Sequence, residues 1–150
     1  MKTKLRILFI ILFYFFSLSI FSETLLKSNI RVVVTNLKDS QGYFYLVLFD
    51  SQKGYEKKWK LAVLKKRVKV KGKTMILWLK GVSRNKWYGI RCFQDVNSNK
   101  KLDTGFFGIP KEPFGFSNNP KLRFGPPKWK DIRFRVLKES HNLNMKMKVF

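Results

Sequence analysis

Tyr43-Phe44-Tyr45-Leu46-Val47-Leu48-Phe49 is seven residues long and apolar on both faces. An apolar run this short suits a strand better than a helix, and its aromatic and branched side chains point the same way. With no polar face to show to water, it belongs in the centre of a sheet. Upstream, residues 30–35 mix alternation with a β-branched run and read as a second strand. Residues 36–42 supply Asn, Asp, Ser and Gly, a turn cluster that joins the two strands as a hairpin.

The chain beyond Phe49 repeats the pattern. Residues 50–60 are polar and read as a loop with at most one helical turn. Residues 61–70 alternate weakly, with cations around Val68 and Val70, as in a strand with one face in solvent. Residues 74–79 form another strand after the Lys71-Gly72-Lys73 turn, and Gly81 and Val82 end it. In residues 87–93, Tyr88, Ile90 and Cys92 share the more apolar face and point to the core, leaving Trp87, Gly89, Arg91 and Phe93 opposite. Residues 131–137 and 143–149 alternate cleanly, with Ile132, Phe134 and Val136 inward. Seven short strands without a long amphipathic helix predict an all-β fold. The expected form is a single antiparallel β-sandwich, immunoglobulin-like or transthyretin-like, with one long ordered loop over residues 94–128.

The first 22 residues read as an address. Lys2, Lys4 and Arg6 precede an apolar run over residues 7–21, and Ser17, Ser19 and Ser22 offer small residues for cleavage. This is the plan of a secretory signal peptide, and the run falls short of the roughly 20 residues of a spanning helix. The alternative is an uncleaved anchor. Export places the single domain, residues 23–150, in the periplasm, at the envelope or outside the cell. Cys92 is the only cysteine, so no disulfide can form within the chain. A Cys92–His141 pair has no third orienting group, which disfavours nucleophilic catalysis.

Charge is one-sided. Setting aside Lys2, Lys4 and Arg6 leaves 29 Lys and Arg against 9 Asp and Glu, a net +20. Such a surface attracts anions: glycolipid, anionic lipid, acidic polysaccharide or nucleic acid. Lysine dominates in Lys57-Lys58-Trp59-Lys60 and across residues 65–73, which suits diffuse attraction rather than bidentate recognition. Export disfavours nucleic acid, although Trp59, Trp78, Trp87 and Trp129 lie among the cations.

The long loop carries the chemistry. Asp95, Asn97 and Asn99 recur at every second residue, and Asp103 follows. Counted from Asp95, these oxygens and the Lys101 carbonyl match positions one, three, five, seven and nine of an EF-hand-type loop, which makes it a candidate Ca²⁺ site. Position twelve is Phe106 rather than Glu, so Glu112 is the carboxylate left to close the site. Position six, usually Gly, is Lys100, where a left-handed backbone costs roughly 1 kcal/mol. The same Asp and Asn side chains also cap turns, the competing reading. Residues 105–120 are expected to be too rich in Gly and Pro for strand or helix. Phe106, Phe107, Phe114, Phe116 and Phe124 either form a satellite core under the loop or, with Phe114 and Phe116 beside Ser117, Asn118 and Asn119, a recognition surface.

The run from Asp95 to Asp103, followed by Gly108-Ile109-Pro110-Lys111-Glu112, Phe114-Gly115-Phe116-Ser117-Asn118-Asn119 and Phe124-Gly125-Pro126-Pro127, resembles the bacterial exported-protein family catalogued as domain of unknown function 2141. The resemblance implies a secreted or periplasmic β-sandwich domain and lends no reaction. The chain departs from that family's pattern at Lys100, where a Gly is usual.

Three functions follow as expectations. The first is a non-enzymatic exported module whose loop, organised by calcium, presents a docking surface to an anionic envelope component or another exported protein. The second is an electrostatic binder of anionic polymers or lipids, with the loop purely structural. The third is an enzyme using Asp95, Asp103 and Glu112, for which no base, nucleophile or complete metal set is assembled.

Overall fold

The computed structural model describes residues 26–149 apart from Asp39 and Phe124, without the side chains of Lys58 and Trp59. The expected leader, residues 1–22, and the aromatic Phe124 lie outside the described residues. The described residues form eight strands: β1 (Lys27–Thr35), β2 (Tyr43–Phe49), β3 (Leu64–Lys69), β4 (Met75–Ser83), β5 (Lys86–Asp95), β6 (Phe114–Phe116), β7 (Phe134–Val136) and β8 (Ser140–Lys146). Among the described residues, two short α-helices interrupt them, α1 (Gln52–Glu56) and α2 (Trp129–Ile132).

The strands form two sheets. One has the order β4-β1-β8; the other has the order β3-β2-β5-β6, with β7 paired to the early part of β5. All pairs are antiparallel except β1 with β8, which run parallel from Asn29↔Ser140 to Thr35↔Lys146. The all-β, two-sheet architecture expected from the strand pattern is present, with this one parallel pair inside it.

Both faces of β2 are buried because the molecule has two cores. Phe44, Leu46 and Leu48 join Ile30, Val32 and Val34 of β1, Tyr88, Ile90 and Cys92 of β5, and Leu143 and Met145 of β8 between the sheets. Val47 and Phe49 face the other way, where they meet Phe93, Phe114, Phe116, Tyr55, Trp129 and Ile132. Alternation along each strand sends successive side chains to opposite cores. Gly89 is needed on the second face: a Cβ there would sit 2.6 Å from Trp129 and 2.9 Å from Ile132, so its absence lets α2 lie on the sheet.

Several features differ from the sequence reading: β1 and β2, expected to pair as a hairpin, lie in different sheets, β1 beside β4 and β8 and β2 beside β3 and β5. Residues 105–120, expected to hold no strand, contain β6, whose Phe114 and Phe116 pair with Phe93 and Arg91. Gly115 suits this strand because its bare backbone faces the Cys92 and Met147 sulfurs, and Pro113 sits just before the ladder. Residues 131 and 132, expected as strand, end helix α2, although Ile132, Phe134 and Val136 are buried as read. The last strand starts at Ser140 rather than 143 because pairing with β1 recruits the expected turn; Asn29 N–H donates to the Glu139 carbonyl at 2.9 Å.

Candidate functional site

Strand β5 carries the chain to Asp95, whose carboxylate is fully buried beneath the loop. One oxygen accepts the Asn99 N–H at 3.0 Å and the other the Lys100 N–H at 2.9 Å. The Asn97 side-chain oxygen accepts the Asn99 N–H at 3.2 Å, and that of Asn99 accepts the Lys101 N–H at 3.0 Å. These are successive Asx turns, the local structure that Asp and Asn favour. Ser98 and Lys100 take φ of 65° and 67°, so the left-handed turn at position six forms without glycine.

Glu112 closes the loop from behind. Its buried carboxylate accepts the Val96 N–H at 2.7 Å and the Asp103 N–H at 3.0 Å. Lys111 N–H donates to the Asp103 carbonyl at 2.9 Å, and Gly105 N–H to that of Ile109 at 2.7 Å. Residues 103–111 thereby form a small hairpin tipped by the 3₁₀ turn Phe106–Gly108. Asp103 lies at the surface and accepts from the Asn97 amide at 2.7 Å and the Asn99 amide at 2.9 and 3.0 Å. These amide donors, with Lys101 and Lys111 nearby, hold its carboxyl below the usual range.

The expected calcium ligands are therefore assembled as a self-latched loop. A hard cation needs oxygens aimed inward, whereas Asn97 and Asn99 turn their amide nitrogens toward Asp103. Asp95 and Glu112 spend both oxygens on backbone N–H groups. Among the described residues, no three His, Cys, Asp or Glu side chains group closely enough to hold a metal ion. Glu112, expected to complete a cation site, accepts two backbone N–H groups of the loop.

The proposed recognition surface needs correction. Phe114, Phe116 and Ser117 are interior. Ser117 Oγ donates to the Ile132 carbonyl at 2.5 Å and accepts the Ile90 N–H at 2.9 Å, tying α2 to β5. Asn118 and Asn119 are exposed, with φ of 63° and 48°, and their amides are used as staples. Asn118 donates to the Arg133 carbonyl at 2.9 Å, while Asn119 bridges Asn144 and Lys146 of β8. Sequence polarity suggested recognition; the fold uses these groups to dock the returning chain.

The exposed aromatics lie elsewhere. Phe106 is 91% and Phe107 101% exposed at the hairpin tip, with Ile109 half exposed beside them. These two rings stand clear of the satellite core expected for them, while Phe114 and Phe116 belong to it. The signal that marks them is glycine on either side, Gly105 and Gly108, which frees the tip backbone. Exposed Lys100 and Lys101 line a cavity with Phe107 and Gly108, and the exposed Lys111 side chain lies over Gly105 at the base of the tip. This cavity, of about 560 Å³, opens beneath the tip and shares Arg91 and Pro126 with a second, of about 600 Å³, beside α1 and α2. Burial lowers the Arg91 pKa from its ordinary value. Cys92 is wholly buried, and burial pushes its thiol pKa upward, which makes it a packing residue.

Two packed β-sheets, one bearing a latched loop with an aromatic tip, define a small all-β domain with an elaborated loop. The chain belongs to the family described as uncharacterised protein conserved in bacteria (DUF2141), whose model matches residues 32–144. That span includes the entire loop and both sheets apart from the start of β1 and the end of β8. No curated protein matches the chain, and no solved structure does.

Proposed function

We propose that the chain is an exported, non-enzymatic module that docks on anionic envelope membrane through the tip of its motif loop. The observation carrying this reading is the full exposure of the adjacent Phe106 and Phe107 on a hairpin held by Glu112. Two aromatic rings held in water by a braced loop are costly unless a partner covers them, and full burial of each is worth about 1.5–3 kcal/mol. Lipid is the partner that the charge favours. Basic residues near an anionic surface each contribute about 1 kcal/mol; Lys100 and Lys101 share a cavity lining with Phe107, and Lys111 lies over Gly105. Engagement of Asp95, Asp103 and Glu112 as hydrogen-bond acceptors supports a structural role for these carboxylates. Calcium enters this reading as an outside variable that docking does not require.

Co-sedimentation with vesicles containing phosphatidylglycerol, compared with purely phosphatidylcholine vesicles, tests the proposal. Binding to the anionic vesicles should fall roughly tenfold or more in a Phe106→Ala/Phe107→Ala double variant, from the lost ring burial. Equal binding by both proteins would overturn the docking role of the tip. Equally strong, salt-sensitive capture of a soluble polyanion by both would favour the purely electrostatic reading.

A further inference from the structure

The cavity under the tip has the form of a binding site. Phe93, Phe114 and Phe116 of the outer sheet face form one side of it, and Leu102, Ile109 and Leu122 contribute to its walls. Exposed Lys100, Lys101 and Arg123 line its open side, and half-buried Arg91 lies on β5 between the two cavities. The Arg91 guanidinium sits 6.0 Å from the centre of the Phe49 ring, in an aromatic setting. An apolar volume of about 560 Å³ falls within the usual range for a small-molecule site, which combines apolar walls with a few placed polar groups. Here the charged groups lining the cavity are all cationic, so the ligand head is an anion and its body is apolar.

We infer that this groove holds a single alkyl or acyl chain bearing an anionic head, the chain against the phenylalanines and the head among Lys100, Lys101 and Arg123. The proposal deepens the docking reading, on which the choice of an envelope amphiphile rests. A fatty carboxylate and a lipid phosphate share this chemistry. A neutral amphiphile brings no charge to the cations, and a free inorganic anion leaves the apolar walls unfilled.

The test is calorimetric titration of the purified chain with octyl, decyl and dodecyl phosphate, each below its micelle concentration. Dodecanoate is run in parallel to separate a carboxylate from a phosphate head. Saturable one-to-one binding that tightens about fourfold per methylene is expected from alkyl burial. Inorganic phosphate should give no saturation, and dodecyl maltoside should bind at least tenfold more weakly than the better anion. Leu122→Trp fills the groove, and Ile109→Glu places an anion on its exposed wall, a surface change that spares folding. Both should abolish the chain-length dependence. Phe106→Ala, outside the groove, should leave monomer binding unchanged while weakening vesicle binding. No chain-length dependence, or unchanged affinity in Ile109→Glu, overturns the groove. Vesicle binding without monomer binding overturns the groove and leaves docking standing; monomer binding without vesicle binding does the reverse.

Discussion

Glu112 holds Asp103 by its backbone, its Oε2 accepting the Asp103 N–H at 3.0 Å across nine residues of chain. The other oxygen takes the Val96 N–H at 2.7 Å, so one buried carboxylate clamps both ends of the Asp/Asn loop. Hydrogen bonds to a charged group are worth about 1.5–3 kcal/mol each. Glu112→Ala should therefore lower stability by about 3 kcal/mol in denaturant melts. Glu112→Gln, which keeps one acceptor, should lose roughly half of that.

Lys100 occupies a left-handed turn, φ 67°, with its side chain in solvent. Glycine adopts that backbone at no steric cost, so Lys100→Gly should stabilise the folded chain by up to about 1 kcal/mol. A loss of stability would mean that the lysine side chain makes a contribution larger than the backbone strain.

Calcium is the next measurement. The Asp95 and Glu112 oxygens already accept backbone N–H groups, and the Asn97 and Asn99 amides donate to Asp103. Chelator followed by millimolar calcium should leave the melting temperature unchanged. A concentration-dependent rise that Asp103→Asn removes would mean that the two amides turn their oxygens inward and that the loop is a cation site after all.

Gly89 lies under α2, where an added Cβ would approach Trp129 to 2.6 Å. Gly89→Ala should cost about 1–3 kcal/mol through overpacking. Trp129, buried in the second core, should shift its emission to longer wavelength as the helix lifts.

His141 stacks on Phe134 with ring centres 5.1 Å apart, and burial lowers its pKa. A histidine whose folded pKa lies below the unfolded value favours the neutral form when folded. Its contribution is present above the unfolded value near 6.5 and is lost as pH falls through the folded value. The melting temperature should drop between pH 7 and pH 5, and the slope should be shallower in His141→Gln.

The sequence by itself determined the strands other than β6. Alternation and residue type placed β2, the inward face of Tyr88, Ile90 and Cys92, and the burial of Ile132, Phe134 and Val136, because period-two patterning is a local signal. The turn chemistry of residues 95–103 was legible for the same reason, down to the left-handed Lys100. Tertiary structure decided everything that depends on which distant segments meet. The parallel pairing of β1 with β8, residues 29–35 against 140–146, leaves no mark in either strand alone. The same holds for Glu112, whose two backbone partners, the Val96 and Asp103 N–H groups, lie 16 and nine residues away in sequence. Phe114 and Phe107 are the same residue type in one loop, yet one is buried and the other wholly exposed. Composition cannot separate them, because burial depends on the sheet face beneath, and only the folded chain supplies that face.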